Sequence, residues 1–220
     1  MENNPFPIPD QKNYEYALNQ AYQIAREKLA GIGDIEEQCR KSGTDYREYE
    51  SGRAIIVRYL NRPFLITLPG GDVLAEGSDE ELPLREKVLV MHYFLSATGA
   101  PFSNNQITFR ELPEGKVYLR TFAKRTTSPL AKFFSHEPPL ILKIGEQFGG
   151  KPAEFGDSSV TINAFPKVPL TFVIWSGDEE FSPEANILFD ATITDYLSTE
   201  DLIVLCELVT WKLVKLIGEV

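Results

Sequence analysis

The apolar positions of the chain switch between a helical period and short extended runs, and this switching predicts its secondary structure. Helical spacing is present over 13–30, 34–40, 84–97, 139–148 and from Ser198 onward. Runs rich in Ile, Val, Phe and Tyr predict strands over 53–60, 63–68, around Val73, and over 107–112, 159–165, 169–175 and 185–189. Residues 116–134 give mixed signals, because Thr126, Thr127 and Pro129 interrupt a helical pattern.

The connections between the predicted strands favour antiparallel pairing. Asn61-Arg62 is a plausible tight turn, and Pro69-Gly70-Gly71-Asp72 is a stronger turn signal. We therefore predict an α+β fold in which helices pack on a largely antiparallel sheet. No repeat or long linker divides the chain, so residues 13–220 are expected to form a single domain. Three alternating prolines predict an extended arm over residues 1–12.

Composition narrows the functional classes. The net charge of -10 disfavours sequence-independent binding to nucleic acid and attachment to an anionic membrane surface. The N-terminal segment has no signal-peptide pattern, and the apolar stretch Leu202–Ile217 is interrupted by charges and shorter than the ~20 residues of a membrane span. Two distant cysteines, Cys39 and Cys206, provide no disulfide framework. We expect a cytoplasmic protein with neither nucleic acid nor membrane as its partner.

Acidic residues are concentrated in one window. Residues 177–201 contain eight acids and no Lys or Arg: Asp178, Glu179, Glu180, Glu184, Asp190, Asp195, Glu200 and Asp201. Carboxylates on turns bind hard cations or supply a general acid and base. Asp178, Glu179 and Glu180 directly follow a predicted strand, so together with Asp190 they are the candidate metal ligands. The alternative is that these acids cap turns and helix ends.

A basic window lies earlier in the chain. Residues 116–132 contain five bases and no acid. Arginine and lysine side chains clamp carboxylates and phosphates, so the candidate ligand-binding residues are Arg110, Arg120, Lys124 and Arg125, with His136 beside them and Trp175 as an apolar wall. In a helix Arg120 and Lys124 share a face and Arg125 points elsewhere. The alternative is that these side chains pair with the acidic window or are solvated.

Several catalytic signatures are absent from the sequence. It contains no Gly-x-Gly-x-x-Gly, no Gly-x-x-x-x-Gly-Lys and no Gly-x-Ser-x-Gly, and His136-Glu137 is followed by prolines rather than by the second histidine of a zinc motif. These absences disfavour a common nucleotide-dependent enzyme or serine hydrolase. No cofactor is specified.

Two segments carry a family resemblance. Pro166–Leu205, with its Trp-x-Gly-Asp-Glu-Glu-Phe and Leu-Phe-Asp elements, and the Arg-containing block Phe109–Phe134 resemble domain-of-unknown-function family 3786. The resemblance extends over nearly the whole chain after residue 12. It implies an origin in anaerobic bacteria or archaea. Some relatives carry an iron–sulfur domain of the kind found beside corrinoid proteins. This chain lacks those cysteines, so the resemblance implies a separate electron donor and an accessory role.

Three functional hypotheses remain open. The first is a module that binds a small anionic cofactor or metabolite through the basic window, as an accessory protein in anaerobic metabolism. The second is an interaction module that docks a redox protein, and the third is a metal enzyme that depends on the carboxylates. The sequence leaves enzymatic activity and the oligomeric state unassigned.

Overall fold

The computed structural model describes residues 11–50, 52–78 and 81–219. Its helices are α1 (Gln11–Ala30), α2 (Ile35–Ser42), α3 (Leu84–Ser96), α4 (Gly115–Arg125), α5 (Thr127–Phe134), α6 (Leu140–Glu146) and α7 (Thr199–Lys215). Its strands are β1 (Asp45–Tyr49), β2 (Gly52–Tyr59), β3 (Arg62–Leu68), β4 (Val73–Ala75), β5 (Gln106–Thr108), β6 (Lys151–Pro152), β7 (Ser158–Phe165), β8 (Val168–Trp175) and β9 (Glu184–Asp190).

The first sheet of the described chain is an antiparallel meander in the order β1-β2-β3-β4. Asn61 adopts a positive φ of 62° in the turn between β2 and β3, and this turn fixes the register that pairs Tyr59 with Arg62. The central strand β2 buries Ile55 and Val57 completely. Helix α3 packs beside this sheet and also contacts α1 and α2.

The second sheet has the order β5-β9-β8-β7-β6, and its neighbouring strands are again antiparallel. One face carries the fully buried side chains Leu170, Phe172 and Ile174 of β8, aligned with buried residues of β7 and β9. Helices α5 and α6 pack on β9 and β7. The central strand β8 is apolar on both faces over most of its length, as its continuous hydrophobic run indicates.

Stacked aromatic rings join the two sheets. Phe165, at the end of β7, is fully buried and stacks on Tyr93 of α3, with ring centroids 4.4 Å apart, and on Tyr59 of β2, at 5.1 Å. The backbone N–H of Leu60 donates to the carbonyl of Ala164 at 3.0 Å, so β2 and β7 are also connected by a main-chain hydrogen bond. These contacts hold both sheets around α3.

Hydrogen bonds from the Tyr93 hydroxyl extend this junction. The hydroxyl donates to the carbonyl of Ser42 at the end of α2 and accepts from the N–H of Lys167 at 3.2 Å. Burial raises the pKa of Tyr93, so the hydroxyl keeps its proton for the bond to Ser42. One side chain therefore connects α2, α3 and the turn between β7 and β8.

Two helix starts follow from local sequence. The Asp34 side chain accepts from the N–H of Glu37 and caps α2, and the Ser198 hydroxyl accepts from the N–H of Asp201 and caps α7. Both caps lie where a helical pattern begins in the sequence.

The α+β class is confirmed, although the strands form two antiparallel sheets rather than one. The strand prediction over 107–112 is wrong beyond Thr108, because Glu111 and Thr108 form a capping box that starts a 3₁₀ helix at Phe109. Strand β1 was not predicted, since its sequence DYREY has few apolar residues. The mixed segment 116–134 forms two helices, α4 and α5, separated at Thr126.

Residues 1–10 of the expected N-terminal arm lie outside the described residues, and α1 begins at Gln11. The single-domain assignment stays a prediction, although buried side chains of both sheets belong to one connected hydrophobic cluster. Among the described helices, none combines the length and the apolar character that crossing a membrane requires.

We predict that Phe165→Ala lowers the free energy of unfolding by about 3–5 kcal/mol, because it removes a fully buried ring and leaves a cavity between the sheets. Urea denaturation followed by circular dichroism measures the change. Phe155→Ala, at a side chain that is 42% exposed, is the matched control and should cost much less. Equal losses for the two variants would contradict the assigned role of the aromatic junction.

Candidate functional site

A cavity of about 480 Å³ opens where β8 ends and β9 begins. We call it the acidic pocket, and its lining residues are Asp157, Trp175, Ser176, Gly177, Asp178, Phe181, Ser182 and Glu184. Three carboxylates and two aromatic rings line it, and no basic residue does. Both rings reach solvent, since Trp175 is 37% and Phe181 is 68% exposed.

Strand register places the first pair of pocket residues together. Trp175 and Glu184 are directly opposite each other in the antiparallel β8–β9 pair. Directly opposed residues project from the same face of a sheet, with Cβ atoms ~5 Å apart. The indole and the carboxylate therefore lie side by side at the pocket.

The wall beside Trp175 is the turn that precedes β7. Gly156 has a φ of +58°, and a β-carbon there would lie 2.7 Å from the Ile174 carbonyl oxygen and 3.2 Å from the Trp175 ring. Glycine allows both this backbone conformation and this close approach. The main chain at Gly156 therefore packs closely against the Trp175 indole.

Asp157 follows this glycine and is held by Ser176. Its carboxylate accepts from the Ser176 N–H at 2.7 Å and from the Ser176 hydroxyl. These hydrogen bonds lower the pKa of Asp157, so its carboxylate is charged at neutral pH.

The loop over residues 176–183 forms the opposite wall. Gly177 has a φ of +74°, and the loop folds back so that the Asp178 N–H donates to the Phe181 carbonyl at 2.9 Å. The Asp178 carboxylate accepts from the N–H groups of Glu180 and Phe181, both at 2.8 Å, through the same oxygen. Asp178 thus shapes the loop and also lines the pocket.

The four predicted metal ligands do not come together. Glu179 and Glu180 are exposed and do not line the acidic pocket, while Asp190 is at the far end of β9. Across residues 11–50, 52–78 and 81–219, no group of three or more His, Cys, Asp or Glu side chains has the arrangement of a metal site.

Asp190 instead holds the connection before β5. Its carboxylate accepts from the N–H and hydroxyl of Ser103, from the N–H of Asn104, and from the N–H and hydroxyl of Thr192. Burial by itself would raise the pKa of Asp190, but the hydrogen bonds from Thr192 and Ser103 outweigh it and lower the pKa to about 2.

The predicted anion-binding residues do not form one cluster in the structure. Lys124 and Arg120 are exposed on α4 and share a face, as their spacing predicts. Arg125 points elsewhere and contacts Glu207 of α7 at 3.3 Å, beside the Arg85–Glu207 ion pair at 2.6 Å. Trp175 lies in the acidic pocket and not among these bases.

Arg110 lies in the 3₁₀ helix before α4. Phe109 stacks on Phe122 with ring centroids 3.9 Å apart, which fixes this short helix against α4 and leaves Arg110 exposed. His136 is exposed in the turn after α5. No hydrogen bond or ion pair joins Arg110 or His136 to another side chain within the part of the chain that the structure describes.

The structure also pairs two residues that sequence reasoning did not link. His92 Nδ1 of α3 is 2.8 Å from Asp201 Oδ1 in the first turn of α7. Burial raises the pKa of Asp201, but the hydrogen bond and the charge of His92 outweigh that effect and lower it. The pair connects two core helices whose residues His92 and Asp201 are 109 positions apart in sequence, and no local pattern predicts the contact.

A second cavity, of about 370 Å³, lies between α1, α2 and the first sheet. It has mixed charges, with Asp34, Glu36 and Arg53 in its lining, and Asp34 is already engaged as the cap of α2. The acidic pocket is the stronger candidate, because all of its charged lining residues are negative and they adjoin exposed aromatic rings.

Asp157, Phe181 and Glu184 were not singled out as site residues from the sequence. Glu184 is adjacent to Trp175 only because of the β8–β9 register, and Asp157 only because its turn folds against β8. The Gly156-Asp157 turn signal before a predicted strand is the one local feature that points to this position.

We predict that Asp190→Asn lowers the free energy of unfolding by about 2 kcal/mol at pH 7, from the difference between the ordinary value of 3.8 and the folded value of about 2. The folded pKa is depressed, so the stabilisation is fully present above pH 3.8 and is lost as the pH falls toward 2. Urea titrations between pH 7 and pH 3 measure it, with Glu179→Gln as the control. A deficit that stays constant down to pH 3 would contradict the assignment.

Comparison with known proteins assigns the family. The chain matches the family model described as Domain of unknown function (DUF3786) over residues 34–211, a segment that contains both sheets and the acidic pocket. Searches of curated proteins and of solved structures returned no match. The matched segment is more than half of the 220 residues, so the chain belongs to the Domain of unknown function (DUF3786) family.

Proposed function

We propose that this protein is a binding module whose acidic pocket takes a positively charged group, such as a lysine or arginine side chain, from a partner. The observation that carries this proposal is that the exposed indole of Trp175 lies in a cavity whose charged residues are all carboxylates: Asp157, Asp178 and Glu184. An aromatic face and a carboxylate both attract a cation.

The pocket suits an organic cation better than a metal ion. Its carboxylates come from three separate segments, and they form no metal-like group with neighbouring acids among the described residues. A metal ion needs several oxygens within about 2.6 Å. A guanidinium or ammonium group on an aliphatic stem can instead place its stem on the indole and its N–H groups on separate carboxylates.

The rigid surroundings support a binding role. Asp157 and Asp178 are each fixed by main-chain hydrogen bonds, and Gly156 supports the Trp175 ring. Side chains that are already held in place lose little conformational entropy when a ligand arrives. The proposal therefore does not require the pocket to rearrange.

A protein partner fits this chemistry. Complementary charge speeds encounter and selects partners, and its effect falls as ionic strength rises. The family resemblance implies a separate electron donor, and a redox protein with a positively charged surface would present such groups to the acidic window. Anionic-ligand binding with Trp175 as a wall has weaker support, because Arg120 and Arg125 lie on α4, Arg110 lies in the 3₁₀ helix before it, and none of them lines the pocket that contains Trp175.

The chain contains two tryptophans, so Trp211→Phe leaves Trp175 as the only source of tryptophan fluorescence. We predict that N-acetyl-arginine amide changes this fluorescence with saturation, and that added salt weakens its binding. N-acetyl-glutamine amide, a neutral probe of similar shape, should produce no saturable change.

Matched variants test the contribution of Glu184. In the Trp211→Phe background, Glu184→Gln should weaken arginine-amide binding about threefold or more, since it removes a carboxylate beside the indole. Glu179→Gln removes the same charge from the adjacent loop but outside the pocket, and it should have little effect. Equal weakening by both variants, or equal binding of the neutral probe, would refute the proposal.

A further inference from the structure

The cavity of about 370 Å³ between the end of α1, the start of α2 and the first sheet is separate from the acidic pocket. We call it the α1–α2 cavity. Its lining includes Ile32, Ile35, Tyr46 and Leu68, which are half-buried and pack against the hydrophobic core. The core is therefore partly open to solvent here, and an apolar group that entered the cavity would bury more of this surface.

Strand register places an arginine in the wall of this cavity. Arg53 of β2 is directly opposite Leu68 of β3, and Tyr46 of β1 is directly opposite Ile55 of β2. Directly opposed residues, and residues two apart on one strand, project from the same face of a sheet. Arg53 therefore shares the face of the buried core residue Ile55, and it lines the cavity together with Tyr46 and Leu68.

Arg53 has no carboxylate partner in the part of the chain that the structure describes. Glu48 is opposite Arg53 in β1, but its carboxylate accepts from the Tyr46 hydroxyl at 3.1 Å and forms no ion pair with the guanidinium. A guanidinium can hold a carboxylate with two parallel N–H groups. Arg53 is therefore available to the carboxylate of a ligand that enters the cavity.

The start of α2 supplies the opposite charge. Asp34 and Glu36 line the same cavity. The Asp34 carboxylate is held in place, since it accepts from the N–H of Glu37 at 2.9 Å. Glu36 forms no ion pair or side-chain hydrogen bond with any described residue, and neither acid pairs with Arg53. The cavity thus presents one cation and two anions that do not neutralise one another by contact.

We propose that the α1–α2 cavity binds a free α-amino acid with an apolar side chain, such as leucine. The carboxylate of the amino acid contacts Arg53, and its ammonium group contacts Glu36. Its side chain lies on Ile32, Ile35 and Leu68. This site takes a small molecule, whereas the acidic pocket takes a charged group of a partner.

Charge and size favour this ligand over others. An amino acid of this kind has no net charge, so the protein's net charge of -10 does not repel it, whereas a simple anion would be repelled by that charge and by both acids of the cavity. An amine without a carboxylate would leave Arg53 without a partner. The volume of about 370 Å³ lies within the range of roughly 300–1,000 Å³ that is typical of small-molecule sites.

The first experiment titrates the full chain, labelled with ¹⁵N, with L-leucine. We expect saturable shifts of the Ile32, Gly33 and Ile35 amide signals. L-leucinamide lacks the carboxylate, 4-methylpentanoate lacks the ammonium group, and glycine lacks the apolar side chain. Each analogue should bind at least about fivefold more weakly than leucine, because each loses a charge-assisted contact or the burial of the side chain.

Variants test each charged contact separately. Arg53→Gln should remove most of the preference for leucine over leucinamide, and Arg53→Lys should retain part of it, which distinguishes a lost contact from a disturbed fold. Glu36→Gln should remove most of the preference for leucine over 4-methylpentanoate. The matched controls are Arg58→Gln, on the opposite face of β2, and Glu27→Gln, exposed on α1 outside the cavity. Neither control should change either preference.

Three outcomes would overturn the proposal. They are no shift at Ile32, Gly33 and Ile35 at millimolar leucine, binding of leucinamide or 4-methylpentanoate as tightly as leucine, and an unchanged preference in Arg53→Gln. Glu184→Gln at the acidic pocket should leave leucine binding unchanged. Failure here is therefore distinguishable from failure of the proposed function, which the binding of arginine amide tests.

Discussion

The stack of Phe165 between Tyr59 and Tyr93 joins parts of the chain that are far apart in sequence. Each ring belongs to a different element, namely β7, β2 and α3, and all three are almost completely buried. Aromatic pairs of this kind contribute about 0.5–1.5 kcal/mol beyond the area that they bury. The Tyr93 hydroxyl adds hydrogen bonds to Ser42 and Lys167, so neither sheet can shift without breaking contacts at α3.

The second sheet depends on this junction for its position, and the acidic pocket depends on the second sheet. The acidic pocket is built where β8 ends and β9 begins. Helices α5 and α6 pack on the buried face behind them. Sites built on a packed framework of this kind need only short loops to shape them. Here the two glycine-containing turns at Gly156 and Gly177 provide the walls.

The acidic window and the basic window are separate in the structure, as they are in the sequence. Within the described residues, no ion pair links the basic window to the acidic window, and Arg125 pairs with Glu207 of α7 instead. An exposed ion pair contributes only about 0–1 kcal/mol, so little stability is lost by keeping these charges apart. The result is one surface lined by carboxylates and another that carries exposed bases, both within the residues that the family model matches.

The sequence by itself determined the α+β class, most of the strands and helices, and the caps at Asp34 and Ser198, because these depend on hydrophobic period and on contacts within a few residues. It also placed Arg120 and Lys124 on one helix face. Only the tertiary structure decided that Trp175 adjoins Glu184 and Asp157 rather than the arginines, and that Asp190 holds a loop. Those contacts depend on strand register and on turns between distant segments, and local patterns do not encode the distance between two residues that pair across a sheet.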